Sequence, residues 1–213
     1  MGGNPVEGAL CHAGDDPGLR LIETLHWTGR EARLLDLHLA RLARGAAALG
    51  WANPTETARQ QLAGLPETPQ RLRLDLDRRG HVSRQIAPLP PAAAVWRVGL
   101  ASERLCSCDP WLRIKSNRRA AYDAARAGLS PGLDEVILQN ERGEICDGSI
   151  TTVFFDRGAG MRTPPLSAGL LPGILRQSLR LPEETLLASE VANVRLWVGN
   201  ALRGLIPATF VAA

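Results

Sequence analysis

Apolar and polar residues alternate in several short stretches near the start of this chain. The alternation over residues 19–27 predicts a first strand, which a turn at Thr28-Gly29-Arg30 ends. Residues 71–77 and 80–86 alternate in the same way, and the Arg78-Arg79-Gly80 segment between them predicts a hairpin.

Helical spacing separates these predicted strands. Apolar residues recur three and four positions apart over residues 34–49, and Gly50 is a natural end for that helix. On another face of the helix, His38 and Arg41 lie three positions apart and can converge on one ligand. A second, shorter helix is predicted near residues 56–62.

The composition then changes to a proline-rich, uncharged stretch over residues 87–94. This composition is typical of a semi-rigid linker. We therefore expect an N-terminal α/β domain over residues 1–88, a linker over 89–94 and a second domain over 95–213.

Strands outnumber helices beyond the linker, which predicts a sheet-rich second domain. The Asp147-Gly148 pair interrupts one strand pattern and predicts a bulge or a bend there. The predicted strands are residues 95–102, 135–140, 144–155, 195–198 and 205–211, with a helix at 118–127. The expected fold class is α/β (α+β).

The composition is that of a globular protein that neither spans a membrane nor binds nucleic acid. Hydrophobic residues make up 45% and charged residues 22%, and no apolar run approaches the ~20 residues of a membrane helix. The net charge of +3 is spread along the chain rather than gathered in a basic stripe. The start lacks a signal-peptide pattern, so the expected location is the cytoplasm. The four cysteines lack zinc-site spacing, and we expect no metal.

Among 25 basic residues only one is a lysine, Lys115. Arginine binds phosphates and carboxylates but stays protonated, whereas a desolvated lysine can form a Schiff base. A coding bias toward arginine explains the missing lysines but leaves open why Lys115 is present.

The segment of residues 163–176 runs from a rigid Pro-Gly loop into the start of a helix. A helix start directs backbone N–H groups toward whatever lies in front of it, and a phosphate suits that position. A plain loop with a Pro-Gly helix entry is the alternative. An amine, a phosphate cradle, an arginine and a carboxylate together are what pyridoxal phosphate requires.

With these motifs the chain resembles the class IV aminotransferase family, the fold-type IV group of pyridoxal-phosphate enzymes, over nearly its whole length. Residues 37–42 resemble the helix that carries the phosphate-binding arginine, which implies that role for Arg41. Residues 114–119 resemble the Schiff-base segment, which implies that Lys115 is the catalytic lysine that binds the cofactor.

Two further motifs extend the resemblance into the second domain. Residues 134–154 are similar to the strand pair whose carboxylate meets the pyridine nitrogen, which implies that role for Asp147. Residues 164–176 are similar to the loop whose backbone amides hold the phosphate, which implies the amides of Ile174 and Leu175. Arg119 is expected either to contact the cofactor or to pack.

The chain departs from the family pattern at three places. Asp147 replaces the usual glutamate and has a shorter reach. Thr151 and Thr152 stand where an asparagine is frequent, and Leu175 replaces a threonine whose hydroxyl contacts the phosphate.

Within the family, residues 21–25, 115–123 and 199–204 are similar to 4-amino-4-deoxychorismate lyases, including the lyase domains fused to aminobenzoate synthase. That similarity implies release of pyruvate to give 4-aminobenzoate, with Asn200 and Arg203 binding substrate. Asn200 could instead cap the backbone, and Arg203 could be a surface residue.

Two alternatives stay open, because the same scaffold hosts several reactions. One is a branched-chain or D-amino acid aminotransferase, and the other is a paralogue that binds the cofactor without turnover. The resemblance also implies an amino-acid-like small-molecule substrate and a homodimer.

Overall fold

The computed structural model describes residues 10, 14–92 and 94–212. It divides into two compact units, of which the first comprises the residues up to Pro90 together with Ile114–Arg118. The second comprises Pro91–Arg113 and Arg119 onward. The division at Pro90 falls inside the proline-rich stretch, whereas the return of the Lys115 segment to the first unit is not visible in the sequence pattern. Across the described ranges, no helix has the length and hydrophobicity to cross a membrane.

Over residues 14–92, the first unit contains a three-stranded antiparallel sheet, in the order β1-β2-β3, and two helices. Its elements are β1 (Leu21–Trp27), α1 (Leu35–Ala48), α2 (Thr55–Gln60), β2 (Gln70–Leu76) and β3 (Val82–Ala87).

One face of β1 and one face of α1 form the interior of this unit. Leu21 and Leu25 of β1 and Leu39 and Leu42 of α1 are almost fully buried, as the alternating and helical patterns require. A Cβ on Gly45 would lie 3.2 Å from Leu21 Cδ1, so helix and strand approach closely.

The second unit is a six-stranded closed barrel in which β4-β5-β6-β7-β8-β9 are consecutive neighbours and β4 also pairs with β9. Its strands and helices are β4 (Trp96–Leu105), α3 (Ala120–Ala127), β5 (Glu135–Asn140), β6 (Ile145–Gly148), β7 (Thr152–Asp156), α4 (Ile174–Leu179), β8 (Arg195–Asn200) and β9 (Gly204–Phe210). Short 3-10 helices cover Pro110–Arg113, Leu166–Ala168 and Ala188–Asn193. The mixed fold and the sheet-rich second part confirm the predicted fold class.

Residues 144–155 differ from the single bent strand that the sequence predicts. They form two antiparallel strands, β6 and β7, which pair at Asp147 and Thr152. The intervening residues make a tight turn in which Gly148 N donates to Thr151 O at 2.7 Å. Both strands are buried throughout, so neither shows the alternation of a half-exposed strand, and periodicity alone does not separate a bend from a reversal.

Candidate functional site

Lys115 is fixed to the beginning of β1 by backbone pairing. Lys115 O accepts a hydrogen bond from Ile22 N at 2.9 Å, and Ser116 pairs with Leu21. Asn117 N donates to Arg20 O at 3.0 Å. Lys115 is half-buried between the buried residues Ile114 and Ser116, so its backbone is held rigidly while its side chain keeps some access to solvent.

Arg41 is buried on α1 beside a carboxylate of the neighbouring strand. Its Nε donates to Glu23 Oε1 at 2.8 Å and its Nη2 donates to Glu23 Oε2 at 2.7 Å. His38 Nδ1 lies 2.6 Å from the same Glu23 Oε2. His38 and Arg41 therefore converge on one group, as their spacing predicts, and that group is an internal carboxylate.

The charge on Glu23 is maintained by these neighbours. Burial alone would raise its pKa, but Arg41 and His38 outweigh burial and lower the pKa from 4.5 to about 2. The bidentate geometry fixes the plane of the guanidinium. A solvated helix arginine is thereby excluded, since only 7% of Arg41 is exposed.

Asp147 is a buried carboxylate at the end of β6. Its Oδ2 accepts a hydrogen bond from Leu171 N at 2.9 Å, which ties it to the Pro-Gly loop. Burial, followed by the charge of Asp147, raises the pKa of Tyr122, and the same two causes raise the pKa of the Cys146 thiol. An ionised Asp147 carboxylate would favour a protonated nitrogen nearby.

Glu135 holds the turn that follows Asp147. Its fully buried carboxylate accepts hydrogen bonds from Ser149 N and Ile150 N, both at 3.1 Å, and from Thr151 Oγ1 at 2.9 Å. Arg126 Nη1 lies 3.4 Å from Glu135 Oε1. Three consecutive turn residues thus share one acceptor, and the end of β6 is rigid.

The Pro-Gly loop is clamped to the helix that follows it. Arg176 of α4 donates from Nη2 to Pro164 O at 3.2 Å and pairs with Glu183. A Cβ on Gly173 would lie 2.5 Å from Thr152 Oγ1, so only glycine allows this approach of loop and strand. The amides of Ile174 and Leu175 then stand in the first turn of α4, where helix geometry leaves them without intrahelical acceptors.

The side chain of Leu175 packs toward the barrel. A Cβ on Gly199 of β8 would lie 2.9 Å from Leu175 Cδ2. Leucine therefore contributes an apolar contact at the position where the family frequently has a hydroxyl group.

Three other sequence-predicted residues have partners within the second unit. Arg119 donates from Nη2 to Ser149 O at 2.8 Å and pairs with Asp123. Asn200 donates to Ile150 O at 3.1 Å and accepts from Arg203 N at 3.0 Å. These contacts are those of the backbone-capping alternative for Asn200.

Arg203 lies over the ring of Trp96, with 5.1 Å from Cζ to the ring centroid. Burial, followed by the positive charge of Arg126, lowers its pKa. The Glu135 carboxylate, which pairs with Arg126, acts on the pKa of Arg203 in the opposite direction.

The residues present fit pyridoxal phosphate by their chemistry. The chain offers one anchored lysine, a buried arginine of fixed orientation, a buried carboxylate, and a glycine-dependent turn that leads into two backbone amides. These are the functions that the cofactor's aldehyde, phosphate and pyridine nitrogen require. In the structure Lys115 and Arg41 belong to the first unit, and Asp147, Arg119, Ile174, Leu175, Asn200 and Arg203 to the second.

Sequence reasoning missed Glu23 and Glu135, the two buried carboxylates that position this set. Each is an acidic residue inside or at the start of an otherwise largely apolar strand. Because burying an unpaired carboxylate costs free energy, a carboxylate at such a position needs a cation or several N–H donors as partners. This signal could have identified both glutamates.

These features agree with the family to which the chain is assigned by similarity. The family model for amino-transferase class IV matches residues 20–211. The chain therefore belongs to the class IV aminotransferase family, a family of pyridoxal-phosphate-dependent enzymes.

Similar proteins include both lyases and aminotransferases. A candidate aminodeoxychorismate lyase of Schizosaccharomyces pombe is 31% identical over 168 residues, which is 75% of this chain and 72% of that protein. The structure of a candidate amino-acid aminotransferase from Mesorhizobium loti is 43% identical, with a TM-score of 0.84, and the match covers 91% of this chain and all of the other.

A more distant structure has the same fold. The 4-amino-4-deoxychorismate lyase from Pseudomonas aeruginosa is 22% identical with a TM-score of 0.76, and the match covers 93% of this chain and 84% of that one.

Proposed function

We propose that this protein is a pyridoxal-phosphate-dependent 4-amino-4-deoxychorismate lyase. The observation that carries the proposal is the contact of the Leu175 side chain with Gly199. Aminotransferases of the family frequently have a phosphate-binding threonine at this position. The identity to the S. pombe protein supports it.

In this proposal the cofactor is held by Lys115 at its aldehyde carbon and by Arg41 and the amides of Ile174 and Leu175 at its phosphate. Asp147 keeps the pyridine nitrogen protonated. Pyridoxal phosphate supplies, when bound, a ring that accepts the electron pair of the substrate carbon.

Lys115 performs the proton transfers. With its amine free, Lys115 would take the proton from the carbon that bears the substrate nitrogen through its Nζ. The bond between the substrate ring and the enolpyruvyl oxygen then breaks, and the substrate ring becomes aromatic. Lys115 returns the proton to the leaving group, so the substrate yields 4-aminobenzoate and pyruvate without a second reactant.

Arg203 is the side chain that we assign to the substrate carboxylates. It has a second cation, Arg126, nearby, and it stays protonated at any pH of interest.

The homodimer expected from the resemblance stays a prediction.

The test is incubation with aminodeoxychorismate while 4-aminobenzoate and pyruvate are measured. We expect equal amounts of both products from the unmodified protein and none from Lys115→Arg, which keeps the charge but cannot form an imine. Borohydride reduction in the presence of the cofactor is expected to label Lys115 in the unmodified protein.

The second candidate is an aminotransferase, which the 43% identity to the M. loti protein favours. It predicts glutamate from 2-oxoglutarate and an amino donor, with no release of pyruvate from aminodeoxychorismate. A protein labelled at Lys115 that gives neither set of products would instead be the non-catalytic cofactor-binding paralogue.

A further inference from the structure

Two cysteines outside the proposed cofactor site lie against each other on the surface of the second unit. Cys106 and Cys108 are both exposed, and their Sγ atoms are 2.7 Å apart. They share a turn closed by a hydrogen bond from Asp109 N to Cys106 O at 2.9 Å. Because a disulfide bond is about 2.05 Å long, the two sulfurs need to approach by only about 0.7 Å to bond.

We propose that Cys106 and Cys108 form a reversible disulfide on reaction with hydrogen peroxide, and that this change alters the loop that supports Asp147. The Cys106 thiolate attacks the peroxide oxygen, the O–O bond breaks, and the sulfur is oxidised to a sulfenic acid while one water leaves. The Cys108 sulfur then attacks the Cys106 sulfur, its proton departs with the hydroxyl as a second water, and the S–S bond forms. Two thiols and one hydrogen peroxide give one disulfide and two waters.

The contact between the sulfurs allows either of them to be the donor. We write the first attack for Cys106 and the resolving step for Cys108, and the two thiols can exchange these roles.

Ser107, between the two cysteines, is fixed to its surroundings on two sides. Its N and Oγ donate to the Glu141 carboxylate at 2.8 and 2.6 Å, and Arg142 Nη1 donates to its Oγ at 2.5 Å. A Cβ on Gly169 would lie only 2.5 Å from Ser107 Cα. The cysteine turn and the loop at Gly169 thus have no free space between them, so a change in one displaces the other.

Gly169 lies two residues before Leu171, which donates its N–H to Asp147. A second tie runs in parallel, because Arg142 Nη2 donates to Ser167 O at 3.1 Å. The cysteine pair is thereby connected to the Leu171–Asp147 hydrogen bond through the close contact of Ser107 with Gly169 and through residues 169–171.

The test uses the full-length protein with hydrogen peroxide, followed by alkylation and tryptic peptide mass analysis. Cleavage after Arg104 and Arg113 gives one peptide that holds both cysteines, whereas Cys146 and Cys11 lie in other peptides. We expect this peptide to lose two hydrogen atoms and to resist alkylation, and dithiothreitol to reverse both changes. Cys108→Ser is the matched control, in which Cys106 is expected to stop at the sulfenic acid.

Hydrogen–deuterium exchange over residues 166–171, measured with and without peroxide, tests the coupling. We expect the Leu171 amide to exchange severalfold faster in the disulfide form and at an unchanged rate in Cys108→Ser. Neither readout needs bound cofactor or turnover, so failure here is distinct from failure of the proposed lyase activity.

Free thiols on both cysteines after peroxide treatment, or Cys106 oxidised beyond the sulfenic acid without a disulfide, would overturn the modification site. A disulfide with unchanged exchange at Leu171 would overturn the coupling.

Discussion

At the scale of single residues, the role proposed for the Asp147 carboxylate leads to a specific prediction about turnover. Asp147→Asn removes the charge but keeps the size, and since it then no longer holds a ring nitrogen protonated, we expect kcat for 4-aminobenzoate release to fall about a hundredfold. Asp147→Glu restores a carboxylate and is expected to keep most of the activity. Steady-state kinetics of the three proteins, with Lys115 labelling by borohydride measured alongside, checks this.

Asp36→Asn is the control for these measurements. Asp36 is an exposed acid on α1 whose partner Arg59 is also largely exposed, so turnover is expected to stay unchanged. Equal activity of Asp147→Asn and unmodified protein would show that the carboxylate does not act on the cofactor. Retained labelling of Lys115 in Asp147→Asn would show that lost activity is not lost binding.

Single residues with one chemical role are the ones that sequence reasoning could find. Lys115 stands out because no other side chain carries a primary amine. Glu23 and Glu135 do not stand out, because their roles depend on which cations and amides the fold brings to them. Hydrogen-bond partners of that kind are far apart in sequence, as with Glu23 and Arg41, which are 18 positions apart.

At the scale of elements, the close contact between the Pro-Gly loop and β7 predicts a specific steric effect. Gly173→Ala places a methyl group 2.5 Å from Thr152 Oγ1, and overpacking of this kind destabilises a fold by about 1–3 kcal/mol. Because the displaced turn carries the amides of Ile174 and Leu175, we also expect weaker binding of pyridoxal phosphate. Urea unfolding and a cofactor titration measure the two effects.

The double variant Gly173→Ala/Thr152→Ala removes the clashing hydroxyl and is expected to recover at least part of both losses. Gly128→Ala is the matched control, since Gly128 has φ −81° and a Cβ there would lie 3.5 Å from the Ala124 carbonyl oxygen, an ordinary van der Waals contact. If Gly173→Ala behaved like Gly128→Ala in both measurements, the close approach would not constrain the loop.

Elements with a clear period were predictable, whereas the reversal between two fully buried strands was not. The alternation of β1 and the helical spacing of α1 give boundaries close to the observed ones. The Asp147-Gly148 pair marks the position of the turn between β6 and β7, but it fits a bulge as well as a reversal, and both strands are buried throughout, so no alternation separates them. The pairing of Lys115 with Ile22 is likewise invisible, since it is a backbone contact between distant segments.

At the scale of the whole molecule, the buried ion cluster of Glu23, His38 and Arg41 predicts how stability depends on pH. The pKa of Glu23 is lowered from 4.5 to about 2 in the folded protein. A depressed carboxylate pKa stabilises the folded state above the unfolded value, and this contribution is lost as pH falls from about 4.5 toward 2. Since a tenfold change in the ionisation constant corresponds to about 1.4 kcal/mol, the full contribution is about 3 kcal/mol.

Glu23→Gln separates this contribution from the general effect of acid. At neutral pH it leaves Arg41 buried without its counter-ion, which is expected to destabilise the protein by about 3–5 kcal/mol. Between pH 4.5 and 2 its stability is expected to fall less steeply than that of the unmodified protein, because the carboxylate that would titrate is absent. Asp36→Asn, which breaks an exposed pair, is expected to change stability by less than about 1 kcal/mol at neutral pH. Urea unfolding of the three proteins at a series of pH values measures these differences, and parallel curves for Glu23→Gln and the unmodified protein below pH 4.5 would contradict the assignment of the acid-sensitive charge to Glu23.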